Sequence, residues 1–162
     1  AIFENWESEF LQMAVFVLLT RILRPRGSSE SKPLCGSADV DEDPRKSSKN
    51  ADGPWPVRRG GVVLGVYEHS LSLALIGLFL LSFAGHAAGG ARAYSEQQAL
   101  QGRAGVDAIG YLTTSQFWFE SFQNGQSEFI SIGVLIYLSI YLRERGSPQS
   151  KPVAAPHAQT GD

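Results

Sequence analysis

Apolar residues are gathered into three segments of the chain, separated by long polar stretches. The central segment, Leu71 to Ala91, carries no formal charge and is long enough to cross a bilayer as a helix. The other two, Phe10 to Leu23 and Phe129 to Leu142, have 14 residues each, short of the roughly 20 that a span requires. Adding the residues from Phe3 closes this gap for the first. A buried helix of a soluble protein is the alternative for so short a run.

This pattern predicts an all-α integral membrane protein with three transmembrane helices and an extracytoplasmic interfacial helix. Its parts are an incoming transmembrane helix with its flanks (1–33), a cytoplasmic disordered linker (34–60), a transmembrane helix (71–91), an outer loop with the interfacial helix (92–125), a last transmembrane helix (126–143) and a disordered tail (153–162). Thr113 and Gln116 fit a capping box that starts a helix at about Thr114. The aromatic residues that follow suit the membrane interface, and a break is expected after Gly125.

The chain contains an internal repeat. Residues 3–33 align without a gap on residues 122–152, with 15 of 31 positions identical. Agreement over a whole helix and its flanks indicates a duplication. The second copy has an outgoing helix before it, at 71–91, so residues 61–152 form a complete second repeat. The first repeat then lacks its outgoing helix, and the two copies should lie as parallel helices of equal depth.

Positive residues predict the orientation of the three spans. Arginines follow both copies, at 21–26 and 143–145, and Arg58 and Arg59 precede the central helix. Because cytoplasmic flanks are enriched in Lys and Arg, the linker and the carboxyl terminus should be cytoplasmic. The linker mixes Ser, Pro and Gly with an acidic and a basic block and has no apolar face to bury, so it should be irregular and exposed.

Composition limits the function classes. A net charge of −2 argues against a nucleic-acid partner, which would require a basic surface. The one cysteine, Cys35, excludes an intrachain disulfide and any multi-cysteine metal site. Nucleotide-binding loops, nucleophile elbows and zinc-ligand spacings are missing from the sequence, so we expect no enzyme activity and no cofactor.

Three sets of residues are candidates for contacts or chemistry. Small residues at helical spacing near the end of the central helix would let another helix approach closely: Ala84, Gly85, Ala88 and Gly89. A polar set is kept in both copies of the repeat: Asn5, Ser8 and Glu9, matched by Asn124, Ser127 and Glu128. These carboxylates form a cation or proton site, or they complement helix dipoles at the headgroups. His69 and His86 are each a single imidazole, which suits helix packing better than ligation of haem or a chlorophyll-like magnesium.

Several stretches resemble a family of small bacterial integral membrane proteins known as a domain of unknown function: FENWESEFLQM, YEHSLSLALIGLFLLSFAGHAAGGARAY, and QFWFESFQNGQSEF with RERGSPQSKPV. The resemblance covers nearly the whole chain and implies a location in the bacterial inner membrane. It also implies a further hydrophobic helix before FENWESEF, whereas this sequence begins at that motif through truncation, a shifted start or incomplete coverage of the natural chain. The resemblance implies no particular biochemical activity.

The function expected from these features is that of a structural or accessory subunit. Such a subunit would pack against the lipid bilayer and against other membrane protein subunits, or form a homo-oligomer, through the small residues of the central helix. The alternative is a small-solute or ion pathway between the two repeats, a design in which the site lies at the repeat interface.

Overall fold

The computed structural model describes residues 2–36, 38–47, 53–145, 147 and 149–160. Every regular element within these residues is helical, which confirms the all-α prediction. Three helices are long and three are short. In chain order they are α1 (Ile2–Ile22), α2 (Trp55–Arg59), α3 (Gly61–Glu68), α4 (Ser70–Leu100), α5 (Ala108–Leu112) and α6 (Ser115–Tyr141).

The first long helix, α1, includes the residues from Phe3 that were added to its apolar run. Glu4 lies in its first turn and Arg21 in its last, so both charges complement the helix dipole. Pro25 follows shortly after the end of the helix, where a residue that cannot continue a helix is common.

The long central helix α4 contains the predicted span 71–91 and continues to Leu100, into the stretch 92–125 that was assigned to the outer loop and the interfacial helix. It ends in a Schellman motif, in which Arg103 N donates to Gln98 O (2.9 Å) and Gly102 N donates to Ala99 O (3.0 Å). Gly102 has a φ of 68°, a conformation that glycine adopts without a steric penalty.

In the described residues, α4 is the one helix that is long and apolar enough to cross a membrane. The sequence predicted three such helices, and α1 and α6 do not meet the same measure. The physical reason is that charged and amide side chains occupy the amino-terminal half of each, among them Glu7, Glu9, Glu120 and Gln126. Length and apolarity therefore support one of the three predicted spans.

The start of α6 differs from the predicted capping box. Thr114 is the capping residue, because its Oγ1 accepts a hydrogen bond from Phe117 N (3.3 Å), whereas Thr113 Oγ1 donates to Gly110 O (2.7 Å). Gln116 does not reach back to the cap, since its Nε2 donates to Glu120 Oε1 (2.5 Å). The helix also continues through Gly125, where a break was expected. A glycine inside a helix costs only about 1 kcal/mol, which the neighbouring residues offset.

The chain divides into two compact units, and the division falls within all three long helices. The first unit consists of Ala1–Val17 and Ala74–Gly133. Its apolar core is formed by Ala87, Ala91, Tyr111 and Phe117. The loop between α4 and α5 is held by Ser95, whose hydroxyl donates to Val106 O and accepts from Val106 N, both at 2.9 Å.

The second unit consists of Leu18–Leu73 and Val134–Asp162. Lys151 is buried in it and donates to the backbone carbonyls of Pro156 (3.5 Å), His157 (2.9 Å) and Gln159 (3.1 Å). The predicted tail thus supplies hydrogen-bond acceptors within this unit. In the predicted linker, two short 3₁₀ helices occur, at Asp39–Asp41 and Pro44–Ser47.

Candidate functional site

A buried histidine lies at the centre of the first unit. His86, on α4, is 2% exposed, and both of its ring nitrogens face carboxylates. Its Nδ1 lies 2.7 Å from Glu7 Oε2, and its Nε2 lies 3.2 Å from Glu120 Oε2 and 3.8 Å from Glu4 Oε1. Three carboxylates therefore surround one imidazole. We call these four residues the His86 cluster.

Two helices supply the carboxylates. Glu4 and Glu7 are three residues apart on α1, so they lie on the same helical face, and Glu7 is 5% exposed. Glu120 lies on α6, one turn after Phe117, whose ring stacks on the imidazole with a centroid distance of 4.6 Å and an angle of 28° between the planes. Phe117 is fully buried, so it shields this side of the imidazole from solvent.

Further hydrogen bonds hold Glu120 in place. Tyr111 OH donates to Glu120 Oε2 (2.7 Å), and Gln116 Nε2 donates to Oε1. Burial by itself raises the pKa of the Glu120 carboxyl, but the hydrogen bonds from Tyr111, Gln116 and His86 outweigh it, and the net pKa is lowered. The pKa of Tyr111 is raised, first by burial and then by its bond to Glu120. The site therefore holds an ionised carboxylate beside a neutral phenol.

The hydrogen-bond roles of the imidazole follow from its partners. A carboxylate oxygen accepts hydrogen bonds, so the contact between Nδ1 and Glu7 Oε2 fits the tautomer with its proton on Nδ1. Nε2 faces Glu4 and Glu120 and can act there as a donor or, when unprotonated, as a ligand. One ligand atom from each of Glu4, His86 and Glu120 lies within 4.8 Å of the others, which is a suitable arrangement for a metal ion.

The predicted helix-packing residues do not share one environment. Gly85 faces α1, where a Cβ would lie 2.7 Å from the ring of Phe3. Ala84, Ala88 and Gly89 are exposed, and a Cβ on Gly89 would meet nothing within 4 Å. The close approach on α4 occurs instead at Gly90, where a Cβ would lie 2.3 Å from Tyr111 Cε1.

The polar set kept in both copies has the same local geometry in each. Ser8 Oγ donates to Asn5 O, and Ser127 Oγ donates to Asn124 O, both at 2.9 Å. The two copies differ in burial, because Ser8 is buried and Ser127 is exposed. Glu9 is exposed, and Glu128 is partly buried.

A hydrogen bond connects α1 to α6 near this set, from Gln12 Nε2 to Glu128 O (3.4 Å). Along α1, Glu7 precedes Gln12, and along α6, Glu120 precedes Glu128. One contact joins Glu7 to Glu120 through His86, and the other joins Gln12 to Glu128 directly. These two contacts occur in the same order along both helices within the first unit.

Sequence reasoning missed the acidic members of the His86 cluster. It selected polar residues that the two copies share, whereas Glu4 and Glu7 align with Gln123 and Gln126. The His86 cluster therefore uses glutamates of the first copy that are glutamines in the second. The spacing of three residues between Glu4 and Glu7 was the available signal, since it places two acids on one face of an apolar helix. His69, the other histidine considered, is exposed.

Comparison with known proteins identifies the family. No curated protein and no solved structure was found to be similar to the chain. A family model described as a domain of unknown function, DUF6766, matches residues 1–162. This match extends over the whole chain, including every residue of the His86 cluster. The protein therefore belongs to the DUF6766 family.

Proposed function

We propose that the protein is an integral membrane protein that acts as a structural or accessory subunit by packing against other membrane proteins. Support for the membrane assignment comes from the polarity of α1. Its buried residues are Glu7, Ser8, Gln12 and Ala14. Its exposed residues include Ile2, Phe3, Trp6, Leu11, Met13, Leu18, Leu19 and Ile22. A helix with polar residues inside and large apolar residues outside suits a lipid environment, because water would disfavour such a surface.

The other two long helices support the same assignment. In the most apolar part of α4, only 22% of the residues are buried within the chain, whereas the core helix of a soluble protein is mostly buried. Leu80 and Leu81 are 58% and 70% exposed at its centre. On α6, Leu135 and Leu138 are exposed as well. We propose that all three helices cross the bilayer, with the polar half of α6 at its outer surface.

The orientation follows from positive charge. The arginines after α1 and α6 and those at Arg58 and Arg59 belong on the cytoplasmic side, because Lys and Arg are enriched in cytoplasmic flanks. The linker and the carboxyl terminus are then cytoplasmic. We place the protein in the bacterial inner membrane. The two copies of the repeat cross this membrane in the same direction.

The accessory role depends on one observation, the exposure of Ala84, Ala88 and Gly89 on the apolar helix α4. Small residues at this spacing form a shallow surface on which a second helix can pack with close backbone contact. Gly85 is excluded from this surface because Phe3 of the same chain covers it. The partner is another membrane protein or a second copy of this chain.

Replacing Gly89 by leucine tests this role. The side chain would project into open space, so the chain should fold normally, but it would keep a partner helix away. In mild detergent, we expect size-exclusion chromatography and co-purification to show an assembly for the parent chain and none for this variant. Gly77→Leu is the matched control, because it makes the same change at an open position of the same helix, twelve residues away and about 120° around it. Equal assembly of both variants would contradict the role.

A further inference from the structure

We propose that Glu4, His86 and Glu120 form a binding site for a first-row divalent transition metal such as Zn²⁺. The three side chains come from α1, α4 and α6 of the first unit. Their ligand atoms all lie within 4.8 Å of one another, and His86 Nε2 is 3.2 Å from Glu120 Oε2. Ligands bonded to Zn²⁺ at its usual distances are about 3.3 Å apart, so that pair already has the required separation. The Glu4 carboxylate, 3.8 Å from Nε2, needs only a small movement.

The residues around these three ligands are those that orient ligands in metal proteins. A metal-bound histidine usually donates its other N–H to a carboxylate, which fixes the tautomer and the ring orientation. Glu7 accepts from His86 Nδ1 at 2.7 Å, and this leaves Nε2 directed toward the two other carboxylates. Glu120 is in turn fixed by donors from Tyr111 and Gln116. The hydrogen-bond partners of the ligands, like the ligands themselves, are therefore of the kind found at metal centres.

Charge favours a cation at this position. Glu4, Glu7 and Glu120 face one imidazole; Glu7 is 5% exposed, and the other two are partly buried. Even a protonated His86 balances only one of the three carboxylates. A divalent cation bound at Nε2 would replace the proton on that nitrogen and supply two positive charges, and buried carboxylates require such compensation.

The ligand set indicates which metal binds. An imidazole is not a usual ligand of Mg²⁺ or Ca²⁺, which take oxygen ligands. The group of ligand residues contains no cysteine. One nitrogen and two carboxylates suit Zn²⁺, Mn²⁺ or Fe²⁺, and the usual order of affinities places Zn²⁺ above the other two. Three protein ligands leave a coordination position for water.

Calorimetric titration of Zn²⁺ into the full chain tests the site, after treatment with a chelator and in detergent micelles. We expect one ion per chain. Glu4→Gln removes a ligand and keeps the shape of the side chain, so it should abolish saturable binding. Glu7→Gln removes only the positioning carboxylate and should weaken binding by about 10–100-fold. Glu9→Gln, an exposed carboxylate on the same helix, is the matched control and should bind as the parent does.

Thermal unfolding without metal identifies any variant that fails to fold, and Glu120→Gln provides a second ligand variant. Because binding is measured directly, the result does not depend on the proposed accessory role. Absence of saturable Zn²⁺ binding to the parent chain would overturn the proposal. Binding that Glu4→Gln and Glu120→Gln leave unchanged would also overturn it, since the ion would then be bound elsewhere.

Discussion

Replacing His86 by leucine should lower the free energy of unfolding by about 3–5 kcal/mol, because it removes the partner of buried carboxylates. Glu7 is 5% exposed and has its hydrogen bond to Nδ1 at 2.7 Å, and leucine offers no donor to replace it. The apolar side chain would also leave Glu120 without its contact to Nε2. Denaturant unfolding followed by circular dichroism in detergent measures the change.

His69→Leu is the matched control, since the same substitution at an exposed histidine should change stability by no more than about 0.5 kcal/mol. Adding Glu7→Leu to His86→Leu should restore part of the loss, because the buried carboxylate without a donor is then removed as well. Equal effects of the two histidine substitutions would show that the His86 cluster does not stabilise the fold.

Gly90→Ala should destabilise the protein by about 1–3 kcal/mol, although alanine is the better helix former. The added Cβ would lie 2.3 Å from Tyr111 Cε1. Tyr111 is 1% exposed, packs on Phe117 and donates to Glu120, so its ring cannot move aside without breaking these contacts. The same unfolding measurement detects the loss.

Two neighbouring glycines provide the comparison for this prediction. Gly89→Ala places a Cβ in open space and should stabilise the helix by about 0.5–1 kcal/mol. Gly85→Ala should fall between the two, because the ring of Phe3 that it meets is 46% exposed and has room to shift. If Gly90→Ala and Gly89→Ala had the same effect, the close packing of α4 on Tyr111 would be wrong.

The sequence was sufficient to predict the helical class and the apolar part of α4, because the charge-free run 71–91 is a local feature. It was not sufficient for α6. Gly125 and the polar residues near it predicted a break, yet the helix continues, because a single glycine costs too little to end it. The predicted capping box at Thr113 was wrong because the next residue, Thr114, can cap the helix equally well by its side chain and makes the capping bond.

The His86 cluster could not be predicted in full because its members are distant in sequence. Glu7 and His86 are 79 positions apart, and His86 and Glu120 are 34 apart. No spacing rule joins residues at such separations, and only the packing of α1, α4 and α6 brings them together. The repeat directed attention to Glu9 and Glu128, which both copies share. The acids at positions 4 and 7 are glutamines in the second copy, so the comparison of copies excluded them.

The central claim is that the exposed apolar faces of the three long helices lie in lipid, and spin labels on the full chain in lipid vesicles test it most directly. With Cys35 replaced by serine, single cysteines at Leu19, Leu81 and Leu135 report on α1, α4 and α6, and the native Cys35 reports on an exposed position of the linker. Lipid-facing labels should collide readily with oxygen and poorly with a water-soluble nickel complex, whereas the label at Cys35 should show the opposite. High accessibility of the label at position 19, 81 or 135 to the nickel complex would contradict the claim.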